Sequence, residues 1–584
     1  MNTIFLSELA NPVFIEYMNT RGCVIFTHKD TRFDPRICTH PDLVLTVMED
    51  LIILDENIDP TVPEKLDQLD IPYVSASSKL SPDYPNDIAY NIVTTKEVLI
   101  HNLEYTNPLL ALHSKYTNKH LIQVKQGYTK CSTVVVDQHH LITSDRGIYD
   151  NVKDYMEVLL IQPGHVELEG FEFGFLGGAS ATLDDTVVFH GDLSKHPDYQ
   201  EIVSFIESAR KKVLYFHEFP LTDIGSGLIF KHEKCTPFES TKYQRHVNIP
   251  IFISHEGCPN DCVFCNQRKI TAKPTAMTSD EIDAQINAYS SSLDKDTYIE
   301  LAFFGGSFTG ISPSLQEEYL NLAYEYKTAG MIHAIRLSTR PDYISRDILD
   351  RLKCYGVTTI ELGVQSLHEE VLLASNRGHH VSDVYHAVEL IKEYGFQLGI
   401  QLMVGLPEDT MERSVLSSRL AALLKPDFVR IYPTLVIQDT KLLELSDNRT
   451  YHPLSLEEGV VWTKEMYQVF LRSHIPVIRV GLQPTDLIAE GKEVQYGPFH
   501  PAFRQLVETS YFLEEIKRKL TSYTLTGEFI ESSELTILCN PKDLSQVIGH
   551  KRSNILALKQ EYPKIRIKSD EQIEPMKIKI TDEI

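Results

Sequence analysis

From Asn248 the chain alternates short apolar runs with amphipathic stretches at a regular interval. The runs IPIFIS, IELAFF, AIRLST, TIELGVQ, QLGIQLMVGL and FVRIYPTLVI are rich in branched and aromatic residues and end in polar or glycine-containing segments. That pattern predicts six buried strands. Between them, residues 315–328, 346–355, 381–394, 411–425 and 456–473 carry apolar residues at helical spacing. Alternation of strand and helix builds a parallel sheet with right-handed crossovers. Residues 248–510 therefore predict a partial (β/α)6 barrel, whose chemistry belongs at the C-terminal ends of the strands.

Before the barrel the texture differs. Residues 1–230 hold short β-rich runs such as 133–136, 141–143 and 158–161, separated by polar turns, and residues 199–212 give the clearest helix signal. They predict an α/β domain of small units. His40-Pro41-Asp42 and His196-Pro197-Asp198 recur but are too brief to mark a repeat. Gly177-Gly178 fits neither G-x-G-x-x-G nor a Walker motif, and reads as a tight turn at a strand end. Residues 231–247 are polar and charged and read as a linker, in which Cys235 has no assigned partner. Behind the barrel, residues 511–584 begin with a helix at 511–520. A strand (535–538), a helix (543–548), the loop Gly549-His550-Lys551-Arg552, a helix (554–562) and a strand (565–567) follow.

A length of 584 residues calls for several domains. No apolar run approaches the roughly 18 residues of a membrane helix, and the N-terminus lacks the charged start and apolar core of a signal peptide. Nine cysteines without framework spacing suit a reducing compartment, so a cytoplasmic protein is expected. A net charge of -25 excludes a surface that coats nucleic acid uniformly and leaves only a local basic patch. The tail supplies a candidate: residues 541–584 hold nine Lys/Arg against seven Asp/Glu. Oligomeric state leaves no signal in the sequence.

The candidate chemistry follows the first barrel strand. Cys258, Cys262 and Cys265 form C-x3-C-x2-C on one short loop. Soft thiolates suit an iron–sulfur cluster or zinc. Three ligands leave one iron of a four-iron cube open to a small molecule. His255 offers the alternative, a structural Cys3His zinc site. The other strand ends weigh against zinc. Gly305-Gly306-Ser307 closes the second strand, and adjacent glycines let a ligand approach the backbone. Ser338 and Arg340 close the third and offer donors suited to a ribose and a carboxylate. Gln365 closes the fourth, Arg377 follows shortly after, and Gln401 lies on the fifth. All lie on the face that carries the cysteines, a convergence that zinc leaves unexplained.

The stretches GCPNDCVFCNQRKI, FFGGSFTG, LSTRPDYI, ELGVQS, NRGHH, MVGLPEDT and RIYPTLVI resemble the radical S-adenosylmethionine (radical SAM) superfamily. Within it they are similar to the group that includes the catalytic subunit of Elongator and, more distantly, the oxygen-independent coproporphyrinogen III oxidase. The resemblance implies that Cys258, Cys262 and Cys265 ligate a [4Fe-4S] cluster and that Phe264 packs near the adenine of SAM. It makes Gly305, Gly306, Ser307, Ser338, Arg340, Gln365, Arg377 and Gln401 SAM contacts. The second strand ends in GGS where many members have GGE, which leaves the acceptor for the SAM amino group open. The implied reaction is reductive cleavage of SAM to a 5′-deoxyadenosyl radical, with a reductant protein feeding the cluster. No residue of the substrate's own chemistry is implied.

Two further resemblances bear on the substrate. The tail is similar to the core of a KH RNA-binding module, whose G-x-x-G loop clamps a nucleic-acid backbone, although Arg552 replaces the second glycine. With the Elongator likeness it implies RNA, tRNA foremost, as substrate; the alternative is a small-molecule metabolite. Only about 70 residues follow the barrel, so no acetyltransferase domain is expected there. His500, just after the barrel, reads as structural. Residues 1–230 resemble pentein-like domains related to guanidino-group-modifying enzymes. Cys131 with His40, Asp42 and Asp192 would fill that family's nucleophile, base and carboxylate roles, against the plainer reading of a buried inert cysteine.

Overall fold

The computed structural model describes residues 2–48, 51–117, 119–231, 245–253, 262–266, 277–294, 296–482, 492–525 and 535–581. The chain divides near residue 237 into two compact units. Most of the stretch read as a linker, Cys235 included, lies outside the described residues.

The first unit repeats one motif five times among its described residues. In each three-stranded sheet the second strand pairs antiparallel with the first and parallel with the third, and a helix joins second to third. The first strands are Leu45–Met48, Val93–Thr94, Thr133–Val135 and Ser180–Leu183. The helices are Thr61–Gln68, Pro108–Tyr116, Arg146–Val152 and Tyr199–Ser208. The fifth module is assembled from both ends of the unit. Leu228–Lys231 pairs antiparallel with Asn2–Ser7, which pairs parallel with Gly22–Thr27 across helix Pro12–Asn19.

Local chemistry starts these helices. Asn11 and Asn107 accept the N–H two residues on, and a proline fills the first turn. The repeat is invisible in the sequence because each module needs only short apolar runs, which unrelated residues supply. The recurring His-Pro-Asp does not mark it: residues 40–42 precede a first strand, whereas residues 196–198 precede a helix.

The second unit is built on seven parallel strands in sequential order: Arg245–Phe252, Thr297–Phe304, Ala334–Thr339, Thr359–Gln365, Gln397–Val404, Phe428–Pro433 and Val477–Val480. Six are those the apolar pattern predicts. The seventh escapes it because only Val477 and Val480 of its four residues are buried. The helix Ser279–Ser292 also escapes, since apolar residues are sparse in it. Its signal is the capping box of Thr278 and Glu281, in which each side chain accepts the other's backbone N–H.

Inside the sheet lies a layer of buried ions. Arg336 bonds Glu300 at 2.6 Å and Glu361 at 2.8 Å, and Arg430 reaches Glu361 at 2.8 Å. Gly399 makes room for it, because a Cβ there would sit 2.4 Å from the Phe428 ring and 3.0 Å from Glu361.

The expected boundary at 510/511 falls inside one continuous helix, Phe503–Leu525. His500 starts that helix by accepting the Ala502 N–H at 3.0 Å, a structural role. Phe512, Ile516 and Leu520 on the helix pack against Ile537, Val547 and Leu558 of the tail. The tail has the expected strand–helix–loop–helix–strand order and adds a third strand, Ile578–Thr581, antiparallel to the central Thr536–Cys539. Among the described residues no helix is long and apolar enough to cross a membrane.

Candidate functional site

The site gathers at the C-terminal ends of the barrel strands. Of the cysteine loop, Cys262 and Cys265 are described; Cys258 and His255 lie outside the described residues. Cys265 donates its N–H to the Cys262 carbonyl at 2.9 Å, a tight turn that holds the two residues together. The loop is anchored on both sides, since Val263 N–H reaches Ser375 O at 3.2 Å and Val263 O accepts from Leu442 N–H at 2.7 Å. Val263 sits in an apolar cluster with Val436, Leu442 and Tyr451, and Phe264 packs against it. Both thiols are free of disulfides.

Arg377 joins this loop to the fourth strand. Its Nη1 donates to Cys262 Sγ at 3.3 Å and its Nη2 to the Gly363 carbonyl. The side chain is buried, and Gly363 is the residue that lets it in: a Cβ there would meet Arg377 Nη2 at 2.9 Å. The strand bulges between Gly363 and Gln365, and Gln365 takes a left-handed φ of 69°. Its side chain accepts from Gln401 Nε2 on the fifth strand at 3.3 Å.

The second and third strand ends are tied by hydroxyls. Ser307 Oγ lies 2.9 Å from Thr339 Oγ1 and accepts the Arg340 N–H at 3.3 Å. Gly305 has a φ of 82°, a conformation that favours glycine, and Gly305, Gly306 and Ser338 are half-buried. Arg340 is fully buried and gives Nε and Nη2 to Asp342, each at 2.9 Å. Ser307 and Arg340 thus help brace the face, and the glycines and Ser338 are more accessible.

One residue at this face carries no role in the sequence reading. His379 is buried, and burial together with the Arg377 and Arg340 cations pushes its imidazole down to about 2, so it is neutral. Its signal in the sequence is its place in NRGHH, two residues after Arg377. Nearby, burial pushes Asp409 up to about 6 although it accepts from Gly405 N, Thr410 N and Ser414 Oγ.

The other candidates belong to the tail and to the first unit. In the tail loop Gly549, Lys551 and Arg552 have φ of 87°, 51° and 65°, so the residue that departs from G-x-x-G takes a conformation glycine favours. Lys551 and Arg552 are exposed. In the first unit Cys131 Sγ donates to Asp42 Oδ2 at 3.0 Å, and His40 and Asp223 adjoin it. Asp192 is elsewhere, accepting from Ser194 N and Oγ at a helical turn. Burial, with Asp42 and Asp223 alongside, pushes the Cys131 thiol well above its ordinary range, opposite to an activated nucleophile. Gly177-Gly178 does form a turn, but one before a strand rather than after it.

Comparison with known proteins bears on this geometry directly. Residues 252–416 match the radical SAM superfamily, and residues 426–511 match a radical SAM C-terminal domain. The chain carries a radical SAM domain. Residues 5–228 match a family of unknown function (DUF6873). Elongator complex protein 3 of Mus musculus is 29% identical over 340 residues, covering 50% of this chain and 61% of that protein. The tRNA uridine(34) acetyltransferase of Methanocaldococcus jannaschii is 26% identical over 314 residues, covering 45% of this chain and 53% of that protein. The chain therefore spans less than two thirds of the length of these curated relatives. The solved structure of archaeal Methanocaldococcus infernus Elp3 aligns with a TM-score of 0.38 at 22% identity, covering 47% of this chain and 64% of that one.

A radical SAM domain implies a [4Fe-4S] cluster and SAM, and the described residues fit them. Two soft thiol donors stand on a short anchored loop at the strand ends, with a buried guanidinium on one sulfur.

Proposed function

We propose that this chain is a radical SAM enzyme that modifies RNA, with tRNA the first candidate. The observation that carries the reading is the Cys262–Arg377–Gly363 bridge, which locks the cysteine loop to the sheet on the face where the glycine and glutamine strand ends converge. Cys258, Cys262 and Cys265 would hold the [4Fe-4S] cluster, which when bound supplies the electron that cleaves SAM. Arg377 donates a charged hydrogen bond to a ligand sulfur and so tunes its electron density. Gly305 and Gly306 leave the backbone open to the amino-acid end of SAM. Ser338 offers a hydroxyl to the ribose, Gln365 and Gln401 hold polar groups at the strand ends, and Phe264 lines the adenine. Ser307, Arg340 and Asp342 keep the third strand end in place, and the packed interior excludes water. A separate reductant protein feeds the site.

RNA is favoured by the likeness to a tRNA uridine(34) acetyltransferase and by the exposed Lys551-Arg552 pair on a left-handed loop. The test is 5′-deoxyadenosine formation by anaerobically reconstituted full-length protein given SAM and dithionite. Cys262→Ala should abolish it while circular dichroism stays unchanged. Continued production by that variant would end the reading.

A further inference from the structure

The first unit contains a second constellation of metal-ligand type, and it is assembled by the fold. His40 and Asp42 lie just before the first strand of one module, Cys131 just before that of another, and Asp223 before the strand that closes the fifth. Three modules thus deliver side chains to one centre. One ligand atom each from His40, Cys131 and Asp223 lies within 4.8 Å of the others. These residues are 6%, 3% and 3% exposed, and Asp42, whose carboxylate abuts the sulfur, is 1% exposed.

The groups are oriented but not satisfied. Asp223 accepts Phe175 N–H and Gly225 N–H at 2.9 Å each, which fixes its carboxylate. Asn91 accepts the backbone N–H groups of Lys130 and Cys131 and turns its amide to donate to Cys131 Sγ at 3.2 Å. Asp42 Oδ2 accepts from the Cys131 thiol and from Ser226 N–H, but Asp42 Oδ1 is buried without a hydrogen-bond partner. No hydrogen bond engages the His40 ring among the described residues. An orphan carboxylate oxygen costs heavily in the interior unless a cation meets it.

Small residues keep the shell tight. A Cβ on Gly178 would fall 1.9 Å from Asp223 Oδ1, and one on Gly225 would fall 2.4 Å from His40 Cβ.

We propose that His40, Cys131 and Asp223, with Asp42 as fourth donor, form a binding site for one divalent transition metal of the zinc class. The mixture of one thiolate, one imidazole and two carboxylates matches a borderline-soft cation and neither calcium nor magnesium. A thiolate and two carboxylates carry three negative charges, most of which a dication offsets. Bonds of about 2.0–2.3 Å in a tetrahedron bring ligand atoms to within about 4 Å of one another, a contraction that side-chain rotation supplies. Asn91, Phe175 and Gly225 are then the outer groups that aim the ligands. The site is independent of the barrel.

The test uses full-length protein carrying Ala at 258, 262 and 265, so that the barrel thiols contribute nothing. With zinc supplied, one equivalent should remain after dialysis by elemental analysis. Cobalt(II) should give a thiolate-to-metal charge-transfer band. Cys131→Ser should erase that band, and His40→Gln should weaken zinc binding at least tenfold. Asn91→Ala, which removes no ligand, should weaken it about tenfold. A folded parent that holds no zinc and shows no thiolate–cobalt band overturns the proposal, as does full zinc retention in Cys131→Ser. Should Cys131→Ser fail to fold, the parent's cobalt spectrum and His40→Gln decide alone.

Discussion

At the scale of single residues, Arg377 and Asp409 show how burial sets chemistry. Arg377 reads in the sequence as a ligand contact, and its Nη1 and Nη2 are engaged by Cys262 Sγ and the Gly363 carbonyl. A lysine cannot span both acceptors as a fork does. Arg377→Lys should therefore lower 5′-deoxyadenosine formation about tenfold and shift the cluster's reduction potential, while SAM affinity changes little. A loss confined to SAM affinity would return Arg377 to the ligand-contact role.

Asp409 is pushed up to about 6 by burial, so the folded protein holds its proton more tightly than the unfolded chain. Its contribution to stability is complete below about pH 4 and is lost as pH rises through 6. Asp409→Asn keeps the neutral form throughout. Relative to the parent it should gain about 2 kcal/mol between pH 4 and pH 7, read by urea denaturation at the two pH values. A constant difference would refute the assignment.

At the scale of elements, strands and helices carry two kinds of information. Their apolar faces are legible in the chain, which is why six barrel strands are where the alternation puts them. Their polar interior positions are not. Glu300, Arg336, Glu361 and Arg430 lie within strands read as apolar, where nothing local assigns them partners, and the folded sheet brings them to face one another. A buried pair stripped of one partner leaves an uncompensated charge. Glu361→Ala, which leaves Arg430 without its carboxylate and Arg336 with Glu300 alone, should cost about 3–5 kcal/mol in chemical denaturation. A loss below about 1 kcal/mol would mean the layer is solvated. The long helix Phe503–Leu525 makes the same point at a boundary. The expected barrel ends at residue 510, but the helix runs through that point, and the tail packs on its Phe512–Ile516–Leu520 stripe.

At the scale of the whole molecule, the chain joins a radical SAM barrel with its tail to a five-module α/β unit. A net charge of -25 means that the proposed RNA substrate would be engaged only at a local patch. If the 549–552 loop is that place, Lys551→Glu with Arg552→Glu should remove RNA that copurifies with the parent and flatten the salt dependence of binding by about two phosphate contacts. Filter binding of tRNA against salt reads both, and an unchanged slope would move the RNA contact elsewhere.

Sequence alone determined the barrel, its cysteine loop and the glycine-closed strand ends, because period, spacing and ligand type are local properties that neighbouring residues impose on one another. Cys262 and Cys265 could be named because three positions separate them. The centre around Cys131 could not be completed that way. The sequence offered Asp192 as a partner, whereas the folding of the modules brings residue 223 to residue 131. The ion layer, the seventh strand and the Arg377 bridge belong to the same class: each depends on which distant residues meet, and that is set by packing rather than by the chain's own rhythm.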